Sequence, residues 1–147
     1  MNIALFSPNK NPYSETFIQA QKERLSGKVY YYYGSGDSFR VEGEEKNITR
    51  LSLFQKFCER FLKKQTRLLR ATNIAISLKK KKVDVILIQY GNHAFDLLPV
   101  LQKVSIPFVV HFHGYDASVN EVVKRANQYQ EVFRQAAFVI AVSKKMH

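Results

Sequence analysis

Apolar and polar positions along this chain follow two periods. Nearly continuous apolar runs at residues 2–6, 28–33, 83–89, 107–112 and 138–142 have the length and the β-branched or aromatic content of buried strands. Runs such as VILI and FVVHF do not alternate as a half-exposed antiparallel strand would, so they predict parallel strands covered on both faces. Helical spacing fills the intervals. The first helix is expected near Ser14 or Thr16, where either hydroxyl can cap it, and Thr16 with Gln19 has capping-box spacing. The Gly- and charge-rich stretch 34–47 reads as a loop.

A long amphipathic helix is expected from about Leu51, with Phe54, Phe57, Cys58, Phe61, Leu62, Leu68 and Leu69 on its apolar face and Lys56, Arg60, Lys63, Arg67 and Arg70 opposite. The lysine run 79–82 fits a solvated helix end. A further helix over 120–136 would turn Val119, Val122, Val123, Ala126, Tyr129, Phe133 and Ala136 inward. Strand and helix in alternation predict an α/β protein, a Rossmann-like doubly wound parallel sheet of about five strands.

The length of 147 residues suits one domain. The start MNIALFSPNK has no basic leader followed by an apolar run, and no stretch approaches the roughly 20 apolar residues that span a bilayer, so a cytoplasmic protein is expected. A single cysteine, Cys58, excludes an internal disulfide and suits core packing. The net charge of +11, from 23 basic and 12 acidic residues, favours anionic partners: nucleic acid, acidic lipid or phosphorylated ligands.

Chemistry concentrates where strands end. In VVHFHGYDAS, from Val109, an apolar strand runs into a turn at Gly114 that brings His113, Tyr115 and Asp116 out at the strand's carboxyl end, where open α/β sheets bind ligands. His113 can donate, accept or carry a proton. It equally suits satisfying loop backbone groups, with Asp116 or Ser118 as a helix cap. In QYGNHA, from Gln89, Gly91 and Asn92 fit a turn, and His93 either faces the same crevice or caps the next helix. His111 and His113 stand two apart, on one side of a strand; with Asp116 they fall short of the three or four convergent ligands a metal needs. The loop SPNKNPYSET is neither G-x-G-x-x-G nor a Walker A sequence, which removes nicotinamide and P-loop nucleotide binding.

Four segments in order, NPYSETFIQAQ, VDVILIQYGNHAFDLLPVLQKVSIPFVVHFHGYDAS, VFRQAAFVIAV and VSKKMH, resemble the N-terminal domain of the family 4 retaining glycosyltransferases, in the branch that builds exopolysaccharide and colanic-acid-like polymers. The resemblance covers most of the chain except roughly residues 28–82, and the family's more usual glycine pair is absent from the first loop. It implies the acceptor-side half of a GT-B fold, here truncated, with the C-terminal nucleotide-sugar domain missing and little or no transferase activity alone. It further implies His113 as the catalytic histidine of the cleft. Ser14, Glu15, Thr16, Tyr90, Gly91, Asn92, His93, Gly114, Tyr115 and Asp116 become candidates for binding acceptor or substrate.

The implied enzyme uses no metal or cofactor; a nucleotide sugar is its co-substrate and a glycan or lipid-linked sugar its acceptor. Glu15 and Glu23 share the E-x7-E spacing of the family's donor half, but here both fall on the first helix, so the match is coincidental. The cations Lys56, Arg60, Lys63, Arg67 and Arg70 would suit peripheral docking on an anionic membrane, and equally an ordinary solvated face. The alternative is a non-enzymatic basic module for nucleic acid or an anionic partner. No nucleic-acid-binding motif or interleaved aromatics support it, so nucleic acid is not the expected partner.

Overall fold

The computed structural model describes residues 1–10, 16–36, 38–50 and 63–142. Six strands form one sheet: β1 (Asn2–Ser7), β2 (Lys28–Tyr33), β3 (Arg40–Val41), β4 (Val85–Gln89), β5 (Phe108–Phe112) and β6 (Phe138–Ala141), in the order β3-β2-β1-β4-β5-β6. All neighbours are parallel except β3, which runs antiparallel to β2. The expected parallel α/β sheet is therefore present, with one strand more than expected. β3 lies inside the segment read as a loop, and two residues are too few to carry a period.

Helices α1 (Thr16–Arg24), α2 (Lys63–Lys80), α3 (Gly91–Leu101), α4 (Gly114–Ser118), α5 (Asn120–Arg125) and α6 (Gln130–Gln135) flank the sheet. Strand residues of opposite parity supply its two faces. Ala4, Phe6, Tyr32, Ile86, Ile88, Phe108, Val110 and Phe112 join one core with Ala71, Ile74, Ala75 and Leu78 of α2, Leu97 and Leu98 of α3, and Val132 of α6. Leu5, Tyr31 and Leu87 point the other way, onto Ile18 of α1, with Phe17 and Val109 packed beside them. Phe6 and Tyr32, register partners on β1 and β2, stack at 4.6 Å.

Two expectations about helices need correction. The run 120–136 is not one helix: it breaks at a 3-10 turn, Asn127–Tyr129, whose three residues all have positive φ, and this turns Val132 into the core while Phe133 stays 50 % exposed. On α2 the buried positions are Thr66, Ala71, Ile74, Ala75 and Leu78, and Leu68 and Leu69 are 43 % and 42 % exposed. The core-facing stripe of this helix is out of phase with the one expected. Stepping back from Ile74 by helical spacing leads through half-buried Arg70 to Arg67 and Lys63, which stay exposed at the border of the buried stripe. Lys79 and Lys80 end α2 exposed, as expected. Phe54, Phe57, Cys58, Phe61 and Leu62 lie outside the described residues.

Candidate functional site

The sheet order places β1 between β2 and β4, so successive connections leave β1 on opposite sides and a crevice opens beyond the carboxyl ends of β1 and β4. Four side chains converge beside it. Gln89, the fully buried last residue of β4, donates from Nε2 to Gln21 Oε1 of α1 at 2.7 Å. Its Oε1 lies 3.1 Å from His113 Nε2 and 3.2 Å from His111 Nδ1, and His111 Nδ1 is also 3.2 Å from Gln21 Nε2.

These contacts fix the proton on one ring. A carbonyl oxygen only accepts, so His113 donates from Nε2–H to Gln89 and keeps Nδ1 as an acceptor, which faces the backbone N–H of Asp116 in a capping box. His111 finds one partner in either tautomer: Nδ1–H donates to Gln89, or bare Nδ1 accepts from Gln21. Burial pushes both histidines down; His113 is pushed down to about 4, with the neighbouring His111 opposing its charge as well. At neutral pH the cluster is uncharged.

Aromatic rings frame it. His113 packs between Phe17 and Tyr90, at centroid distances of 4.6 and 4.4 Å, and its ring lies 4.4 Å from that of His111. Tyr90 reaches this place through an uncommon backbone, φ 70° and ψ 132°, at the turn from β4 into α3. A bulky residue at positive φ costs on the order of 1–3 kcal/mol, and such strain concentrates at functional sites.

Asp116 is fully buried and does not face the crevice as a free carboxylate. It accepts from the backbone N–H of His113 at 2.7 Å and from the N–H of Gly91 at the start of α3. Burial pushes its pKa up, while the amides it accepts from pull it down. The positive end of α3 is thus already neutralised by the protein's own anion. Gly91 itself is pressed on the Phe112 ring: a Cβ there would stand 2.1 Å from a ring carbon.

The structure thus brings Tyr90, Gly91, Gly114, Asp116 and His113 to one place. Tyr115 is next to them in sequence and 59 % exposed, and Thr16 lies at the exposed start of α1. Ser14, Glu15, Lys56 and Arg60 fall outside the described residues. His93 goes elsewhere. It sits on α3, stacked on Phe39 at 5.7 Å on the opposite face of the sheet, 3 % exposed and pushed down to about 4 by burial. Asn92 is half-buried beside it. Lys63, Arg67 and Arg70 line a cavity with His93. Sequence reasoning passed over Gln21, Gln89 and Phe17. The available signal was a polar residue closing the apolar strand VILIQ, and Phe17 and Gln21 one helical turn apart.

Among the described residues no group of three or more His, Cys, Asp or Glu is placed to hold a metal, and no helix is long and apolar enough to cross a membrane. No protein-family model matches the chain, and no curated protein matches it.

Proposed function

We propose that this chain is the acceptor-side domain of a retaining glycosyltransferase of surface-polysaccharide synthesis, holding a sugar in the crevice beside His113. The observation that carries this reading is the chemistry of the cluster. The neutral imidazole of His113 sits between the rings of Phe17 and Tyr90 with the amides of Gln89 and Gln21 beside it, and no free carboxylate joins them among the described residues. A sugar ring presents apolar C–H faces and a rim of uncharged hydroxyls, which this combination of aromatic walls and neutral hydrogen-bonding groups matches. The His113 ring, held in orientation by Gln89 at Nε2 and by the backbone N–H of Asp116 at Nδ1, would form one wall of the sugar site.

In transfer from a nucleotide sugar, positive charge grows on the sugar and negative charge on the departing diphosphate. A histidine that stays neutral to about pH 4 adds no opposing charge near the sugar, so its contribution is positioning. The diphosphate would be held by a separate nucleotide-sugar domain. Peripheral docking on anionic lipid and a lipid-linked acceptor belong to the same proposal.

Titration of the isotopically labelled chain with neutral disaccharides tests it. Amide shifts at Phe17, Tyr90 and His111 to His113 that disappear in His113→Ala are the expected result. Spectra indifferent to every saccharide tried would overturn the reading, as would robust sugar transfer from a nucleotide sugar by the chain alone.

A further inference from the structure

The edge of the buried stripe of α2 carries charge where it meets a cavity. Lys63, Arg67 and Arg70 lead by helical steps into Ala71 and Ile74, and all five line a cavity of about 710 Å³ between α2 and α3. Arg125, at the end of α5, adds a fourth cation. One carboxylate, Asp96, is present among the described lining residues; Arg125 Nη2 stands 3.5 Å from its Oδ2. Like charges one helical turn apart repel by a few tenths of a kcal/mol per pair. Placing Lys63 and Arg67 on one stripe, with Arg125 nearby and one acid among the described lining residues, favours a bound anion.

The opposite wall is apolar and aromatic, built from Phe39, Phe95 and Pro99. His93 belongs to the same wall and is an independent sign: its Nε2 is shielded from solvent and has no hydrogen-bond partner. Buried polar atoms are rarely left so, and in its Nε2–H tautomer the imidazole is a donor for an anionic oxygen. The volume is within the roughly 300–1,000 Å³ of small-molecule sites.

We propose that this cavity binds a phosphoryl group carried on an apolar or ring-shaped body, with Lys63 and Arg67 as the anion clamp. Because the cavity lies across the sheet from His111 and His113, this inference does not depend on the sugar-transfer reading. The phosphoryl group has two sources, a soluble organic phosphate or the headgroup of an anionic lipid.

Calorimetry of the full chain with inorganic pyrophosphate, and sedimentation with phosphatidylglycerol and phosphatidylcholine vesicles, tests it. The variants are Lys63→Gln/Arg67→Gln, both at exposed positions, and Lys79→Gln/Lys80→Gln, which removes equal charge from the far end of the same helix. The expected result is pyrophosphate binding weakened at least tenfold by the first pair and less than twofold by the second, with unchanged thermal unfolding. Selective loss of phosphatidylglycerol binding in the first pair, without pyrophosphate binding, supports the lipid source. His93→Phe, which retains the stacking, is expected to weaken the same ligand severalfold. Equal weakening by both charge pairs, or no binding to either probe, overturns the proposal.

Discussion

The carboxylate of Asp116 holds the backbone N–H of Gly91, 25 positions earlier in the chain, and so joins the turn after β5 to the turn after β4. The same carboxylate takes the N–H of His113 at 2.7 Å, and the carbonyl of Asp116 accepts from the Tyr129 hydroxyl at 2.8 Å. One buried residue thereby sets the spacing of the two loops that carry Tyr90 and His113. A residue that the sequence offers as a ligand or a cap serves as the brace behind the site.

Replacing Asp116 therefore acts first on stability. Asp116→Ala strands two buried N–H groups, each costing about 1–3 kcal/mol, so a loss of roughly 2–6 kcal/mol is expected. Asp116→Asn retains one acceptor oxygen and should lose about half as much. Urea denaturation of the three proteins checks this, and equal stability of Asp116→Ala and the parent would show that the two amides are satisfied elsewhere.

Backbone strain at Tyr90 predicts a reversal of the usual order of side-chain replacements. Glycine adopts positive φ without a Cβ clash, whereas alanine does not. Both remove the ring that packs on His113. Tyr90→Gly should therefore be about 1 kcal/mol more stable than Tyr90→Ala, although glycine is ordinarily the more destabilising of the two. Thermal unfolding of the pair decides it; alanine equal to or better than glycine would place this residue in an ordinary backbone well.

The legible part of the fold was the strands, because VILIQ and FVVHF are continuous enough to be buried on both faces. The period of two also placed His111 and His113 side by side, and their rings lie 4.4 Å apart. The missing knowledge was tertiary. Nothing local distinguishes Gln21 and Gln89 from surface glutamines until α1 packs against the ends of β4 and β5. His93 follows a turn just as His113 precedes one, yet helical geometry carries it to the other face of the sheet. On α2 the large apolar residues Leu68 and Leu69 suggested the buried stripe, whereas small residues, Ala71 and Ala75, mark the side that approaches the sheet. The phase error hid that Arg67 and Arg70 border the cavity between α2 and α3.

Three histidines that folding holds neutral make the protein sensitive to acid. His93 and His113 have folded pKa values of about 4, His111 is also lowered, and an unfolded histidine titrates near 6.5. Between those values the unfolded chain binds more protons than the folded one, so stability falls as pH drops through that window and rises as pH climbs back. The contribution is complete above about pH 7 and exhausted below about pH 4. Melting temperatures measured from pH 7.5 to 4 should decline steadily, and His93→Phe should flatten the decline. A profile unchanged in that variant would mean that His93 is protonated without cost.

Gln89 offers a direct probe of the cluster, because its Oε1 stands 3.1 Å from His113 Nε2 and 3.2 Å from His111 Nδ1. Gln89→Glu keeps the shape and replaces the amide by a carboxylate. A negative charge in hydrogen-bond contact favours the protonated imidazole, against the burial that now disfavours it. The His113 titration should move upward from about 4 by at least one unit, as read from the ring proton resonances, and the acid sensitivity of folding should weaken in step. Gln89→Leu offers His113 Nε2–H no partner, so it should instead loosen the ring and leave the titration low. If the acidic variant leaves the His113 titration where it was, Gln89 does not hold that ring, and its orientation in the crevice has to come from elsewhere.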